Sequence, residues 1–301
     1  MENLRLFIRL SRPLFLVGVF LLYALGAGIA HYLGAQIDID VYILGQIWVT
    51  LLQLSTQYLN EYYNAPLDQE NANRTLFSGG SGAVGPGRLS RRVPLMAALV
   101  CLAFLASATV VIISRIQPGL LAYLIMFVAF LGAFFYSTPP VRLETSGYGE
   151  LTTTVLVAFL VPAYAFILQL GEFHRLLAMS AFPIAALHLA MLLALELPDY
   201  ATDLKYGKST LIVRMGWESA MTLHNVLVLC AFLLVIIAAT FGFPWFATWP
   251  VLLPLPLGLL QIWQMRRIAG GARPNWNALT LGAVALFASV VYLMAFAFWI
   301  N

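Results

Sequence analysis

Residues 176–208 read LLAMSAFPIAALHLAMLLALELPDYATDLKYGK. The stretch opens as a long apolar run and closes on Glu196, Asp199, Asp203, Lys205 and Lys208. An apolar run of about 20 residues is long enough to cross the hydrocarbon core of a bilayer as a helix. The charged close stands out in a chain that is only 10% charged. Asp199 and Asp203 are four residues apart, so on a helix they share one face. Two close carboxylates repel, and burial raises that cost, which a cation and its ligand would offset.

The rest of the chain repeats the apolar half of this pattern. Of 301 residues, 61% are hydrophobic, and mean hydropathy is +0.88. These values exclude an ordinary soluble domain and point to an all-α, polytopic membrane protein. Nine spans are expected, at 13–34, 41–63, 94–114, 118–136, 149–170, 175–197, 217–241, 245–264 and 277–300. Spans packed side by side imply one transmembrane domain over 1–301. Ala27, Gly28 and Ala30 near the end of the first run resemble a cleavage site, but the run is of spanning length and many spans follow, so it reads as retained. Cys101 and Cys230 both lie inside apolar runs and read as buried small residues.

Basic residues orient the spans. With the N-terminus in the cytoplasm, every Lys and Arg except Arg115 and Arg175 falls on the inner side. The long polar connections, about 60–93 and 198–216, fall there too, and long loops on one face are where chemistry concentrates. The expected location is the plasma or inner membrane, with the active site cytoplasmic. A net charge of +3 distributed this way is ordinary positive-inside charge and gives no reason to expect nucleic acid.

A second polar cluster lies on the same side. The second span ends in Gln53, Gln57, Asn60 and Asn64, spaced four, three and four, which places them on one helical stripe. Amides at membrane depth face protein or a wet cavity. Pro66 is expected to end this helix, leaving Asp68 and Glu70 just beyond it. Pro198 is expected to kink or restart the sixth span, and His188 reads as a core histidine bonded to a neighbouring span. Taken separately, the first cluster is explained by hydrogen bonds between helices and the second by a helix-end pair matched with Lys205 and Lys208. Two acidic clusters facing one side argue for a shared ligand. Mg2+ is usually held by one or two carboxylates together with substrate phosphates. Two such clusters on separate helices would hold Mg2+ on either side of a diphosphate, and in a membrane the natural bearer is an isoprenoid diphosphate. The glycine-rich stretch 78–88 lacks the Lys-Ser/Thr ending of a P-loop and follows no strand, so a nucleotide site is rejected; a lid, an anion cradle and a plain loop remain open.

These residues together resemble the UbiA superfamily of intramembrane prenyltransferases, near its 1,4-dihydroxy-2-naphthoate polyprenyltransferase branch. The likeness spans nearly the whole chain. It is carried by Asn60-Glu61-x2-Asn64-x3-Asp68, by Asp199-x3-Asp203 continued through Gly207-Lys208 to Arg214-x-Gly216, by Tyr136-Ser137-x-Pro-Pro140-x-Arg142, and by Gly149-Glu150-Leu151. The resemblance implies nine helices around a central cavity and Mg2+ as cofactor. Its substrates would be a polyprenyl diphosphate and an aromatic acceptor. It implies that Asn60, Asn64 and Asp68, helped by Glu61 or Glu70, bind one metal, and that Asp199 and Asp203 bind a second. Arg74, Lys205, Lys208, Arg142 and Asn60 would meet the diphosphate, and Tyr136 would line the reaction site. Asn64 stands where the family usually has aspartate, so the first motif is one charge short unless Glu61 or Glu70 compensates. Two rivals stay open: another acceptor (a lipid alcohol, a tetrapyrrole or a homogentisate-type ring), or a non-catalytic lipid-binding or transport protein. Asp199 and Asp203 sit at the membrane edge rather than mid-membrane, which favours the enzyme.

Overall fold

Inside a bilayer there is no water for a bare peptide group, so a spanning segment must satisfy its own backbone, and a helix does so. The computed structural model describes residues 2–301. Among them nine helices are long and apolar enough to cross a membrane: Pro13–Tyr32, Ile39–Gln69, Arg92–Ile116, Leu120–Ser137, Gly149–Leu170, Arg175–Lys205, Trp217–Thr240, Trp245–Ala269 and Trp276–Ile300. They correspond one for one to the expected spans and are called the first to the ninth here. A short amphipathic helix, Glu2–Leu10, precedes them and buries Leu10.

Two prolines behave differently. Pro198 falls in a tight turn, Leu197–Asp199, after which helix resumes at Tyr200–Lys205, so the expected restart is there. Pro66, however, does not end the second span, which continues to Gln69. A proline in a helix removes the bond to the carbonyl four residues back, here that of Tyr62. Arg91 supplies the missing donor, with Nε 2.7 Å from Tyr62 O, and its guanidinium also lies over the Tyr62 ring. The orphan carbonyl is satisfied, and Asp68 stays in the last helical turn, on the stripe of Asn60 and Asn64.

The spans close a ring. The first packs on the fifth and ninth, the sixth on the seventh and ninth, and the second on the third, fourth and fifth. The fifth contains a wide, π-helical turn, Val155–Leu160, ahead of Pro162, and Leu156, Val157 and Leu160 of that turn face the central cavity. The crossing of the first and fifth spans requires a glycine. A Cβ on Gly26 would sit 2.0 Å from the backbone oxygen of Pro162.

Gly26→Ala is therefore expected to destabilise the bundle by about 1–3 kcal/mol, the usual range for an overpacked contact. Gly18→Ala, where a Cβ meets nothing within 4 Å, is the control. Thermal denaturation of the detergent-solubilised protein reads both; equal midpoints for wild type and Gly26→Ala would remove the close crossing.

Candidate active site

The polar ends of the second and sixth spans meet at one end of a cavity of about 540 Å3. Asn60, Asn64, Asp68, Tyr136, Asp199 and Lys208 line this end. Phe15, Leu52, Ile125, Leu160, Met191 and Phe287 belong to its apolar walls, contributed by the first, second, fourth, fifth, sixth and ninth spans. The four-residue spacing of Asn60, Asn64 and Asp68 aims all three inward once the helix runs past Pro66.

A different mechanism holds Asp199. Asn71 Nδ2 donates to its Oδ1 at 2.7 Å, and the Gly79 N–H donates to its Oδ2 at 3.0 Å. Both donors belong to the connection after the second span, so this loop is strapped across to the sixth. Arg74 braces the strap from within, donating from Nε to Gly79 O at 2.7 Å and from Nη2 to Asp68 O. Gly80 has φ +73, and a Cβ there would lie 2.2 Å from Asp68 Oδ2, so only glycine lets the strap rest on that carboxylate. Phe77 meets Phe15 edge-on with ring centroids 6.0 Å apart, continuing the roof into the apolar part. The glycine-rich stretch is thus a roof that joins both acidic motifs.

The remaining sequence-predicted residues are not gathered at the cavity. Asp203 is buried one turn beyond Asp199, outside the lining, with Oδ1 unpartnered. Glu61 is committed elsewhere: it pairs with Arg12, accepts from the Ser81 N–H at 2.7 Å and from Ser81 Oγ at 2.7 Å. Glu70 and Lys205 pair with each other at 2.7 Å on the exposed surface. Arg142 is outside the lining, partly exposed, 4.0 Å from Glu144. Neither Glu61 nor Glu70 lines the cavity. His188 is buried and bonded to a neighbouring span, with Nδ1 3.0 Å from Thr154 Oγ1 of the fifth span, and it also belongs to the cavity lining.

Two residues at the site have partners that sequence reasoning missed. Arg12 reads as a positive-inside anchor that could also meet an acidic acceptor; its side chain turns in to line the cavity and meets Glu61. Glu144 reads as an ordinary loop acid, yet it is buried and its Oε2 accepts from Asn60 Nδ2 at 2.6 Å and Asn64 Nδ2 at 2.8 Å. The one available signal was its position, two residues after Arg142 in a motif already singled out.

Electrostatically this end is a balance of buried charge. Burial disfavours the Lys208 ammonium, but Asp203, Glu144 and Glu196 more than offset it and raise its pKa above the usual lysine value. Arg12 follows the same pattern: burial opposes its charge, and Glu61, Asp68 and Asp199 outweigh burial. Buried oxygens of Glu144, Glu196 and Asp203 still lack hydrogen-bond partners. Unpaired buried acceptors are costly, and further positive charge would relieve them. Among the described residues no three acidic, histidine or cysteine side chains converge as a ready-made metal site. The amide and carboxylate groups of Asn60, Asn64, Asp68 and Asp199 bring hard oxygens to the polar end from two separate helices, which fits an ion that completes its shell with phosphate and water.

Fold and site together define a class: a polytopic helical membrane protein with two carboxylate-bearing motifs at the polar end of an apolar tunnel. Residues 19–274 match the UbiA prenyltransferase family, and the chain belongs to that family of prenyl-transferring enzymes. It is 24% identical over 217 residues to the 1,4-dihydroxy-2-naphthoate octaprenyltransferase of Bacillus subtilis (strain 168), covering 71% of this chain and 67% of that one. To the Escherichia coli (strain K12) protein of the same name it is 25% identical over 253 residues, covering 83% and 81%. A solved UbiA homolog from Archaeoglobus fulgidus bound to GPP and Mg2+ shares the fold, with a TM-score of 0.68 over 98% of this chain and 100% of that one, at 18% identity.

Arg12→Met leaves Glu61, whose side chain is 3% exposed, without its cation. The expected loss is about 3–5 kcal/mol, as for a broken buried pair. The double variant Arg12→Met/Glu61→Gln should recover most of the lost thermal midpoint; no recovery would show that the pair is not the source.

Proposed function

We propose that this protein transfers a polyprenyl group from an isoprenoid diphosphate to a small aromatic, quinone-precursor-like acceptor in a Mg2+-dependent reaction. One observation carries the reading: a single cavity joins a polar end, with carboxylates from two helices and cations from the segments beside them, to an apolar bore. Its volume, about 540 Å3, is in the usual range for small-ligand sites, roughly 300–1,000 Å3. The names of the two naphthoate octaprenyltransferase relatives support the aromatic acceptor. The GPP and Mg2+ bound by the Archaeoglobus homolog support the donor and the metal.

In this reading Asn60, Asn64 and Asp68 would hold one Mg2+ and Asp199 a second, with Asp203 adding negative charge one turn beyond Asp199. When bound, Mg2+ neutralises the charge that grows on the leaving diphosphate. Lys208 and Arg12, both kept charged by their neighbours, bind diphosphate oxygens at the same end. The prenyl tail lies along the apolar walls, which exclude water from the reacting carbon. The allylic C–O bond breaks and its electron pair leaves with the diphosphate. A carbon of the acceptor ring then bonds to the allylic cation, and the ring loses a proton. Tyr136, aromatic and next to Lys208 in the lining, offers a π face to the transient cation. The distribution of basic residues supports placing this mouth at the cytoplasmic face of a plasma or inner membrane.

Purified protein incubated with Mg2+, isoprenoid diphosphates of several lengths and a panel of acceptors should yield a prenylated aromatic product, identified by mass. Asp199→Asn and Asp203→Asn should each lower turnover by roughly 100-fold or more, the scale for losing one transition-state charge contact. Chelation of Mg2+ should stop the reaction and added Mg2+ restore it. Wild-type turnover in either variant, or no product with any pair, would overturn the proposal.

A further inference from the structure

Glu144 sits behind the second span's amide stripe, 3% exposed, on the short helical turn Leu143–Thr145. Its Oε2 receives two donors at once, Asn60 Nδ2 at 2.6 Å and Asn64 Nδ2 at 2.8 Å. A carboxylate only accepts, so it dictates which way each amide is turned. With both NH2 groups drawn to Glu144, the two carbonyl oxygens are left for the cavity that Asn60 and Asn64 line. Those oxygens are the only side-chain atoms of an asparagine able to ligate a hard cation. Ser137 Oγ, 3.2 Å from Asn60 Nδ2, supports the same orientation. The other oxygen, Glu144 Oε1, is buried and has no hydrogen bond, with Arg142 Nη2 no nearer than 4.0 Å. Its charge is therefore only partly spent.

We infer that Glu144 is a positioning residue for the proposed cation site: it orients Asn60 and Asn64 and supplies, from behind them, the negative charge that an amide at position 64 does not carry. The inference rests on the Mg2+–diphosphate reading of the cavity. Asn64 and Glu144 then form one unit, a neutral ligand backed by a charge on a different segment. The arrangement also explains why aspartate at 64 would be out of place here, since it would set two carboxylates 2.8 Å apart. Partners of this kind typically change metal affinity by roughly 10- to 100-fold.

The test reads metal uptake rather than turnover. The quantity measured is the Mg2+ concentration that gives half-maximal thermal stabilisation of the full, detergent-solubilised chain, in the presence of the unreactive thiolodiphosphate analogue of geranyl diphosphate. Glu144→Gln and Asn64→Asp are each expected to raise it roughly 10-fold or more. Asn64→Asp/Glu144→Gln moves the charge from the loop to the helix and restores a donor–acceptor pair, so it should return to within about threefold of wild type. If Glu144→Gln does not fold, the double variant decides alone, and a 10-fold rise in it overturns the inference. A Glu144→Gln midpoint equal to wild type, or a double variant no better than the worse single, also overturns it. If the wild-type chain shows no Mg2+-dependent stabilisation, the reading of the site falls and this inference with it; if wild type responds and Glu144→Gln matches it, this inference alone falls.

Discussion

A half-buried carboxylate at the polar end of the cavity needs donors, and Asp199 receives them from a loop that belongs to another span. Asn71 and the Gly79 N–H both donate to it. That clamp fixes the roof over the cavity, and the roof in turn rests on Asp68 through Gly80. The two acidic motifs therefore face each other across a defined opening instead of sitting on two independently moving ends. Arg74, expected to meet substrate, serves as the brace of this strap.

Charge balance decides the roles of the other polar residues. Lys205 and Glu70 neutralise each other in water and leave the cavity to Lys208. Glu61 is taken up by Arg12 and Ser81, which ties the segment before the first span to the second span and to the roof. Arg12 thereby becomes part of the cavity wall. Asn60 and Asn64, which carry no charge, are backed by Glu144 from the connection between the fourth and fifth spans. The pairs Arg12–Glu61 and Lys205–Glu70, and the bonds from the two asparagines to Glu144, thus join elements that are distant in the chain.

Much of this was legible beforehand because membrane burial imposes strong local rules. Runs of apolar residues of spanning length had to be helices, and nine were found where nine were expected. The stripe from Gln53 to Asn64 was legible from helical period alone; for Asp199 and Asp203 the period gave the spacing but not the outcome that only Asp199 lines the cavity. The end of the second span was misread because Pro66 breaks a helix only if nothing replaces the lost donor, and Arg91, far along the chain, replaces it. Glu144 and the partner of Arg12 were missed for the same reason: a lone acid in a loop and a lone arginine before a span look alike whether they face solvent or a cavity.

The sequence by itself determined the all-helical membrane fold, the number of spans and the two motifs, since hydropathy and helical period act over neighbouring residues. Only the tertiary structure decided which charges meet. Pairing between buried groups depends on distances between segments that packing alone sets, and it gave Asp199 its clamp, Glu61 its arginine and the two asparagines their carboxylate.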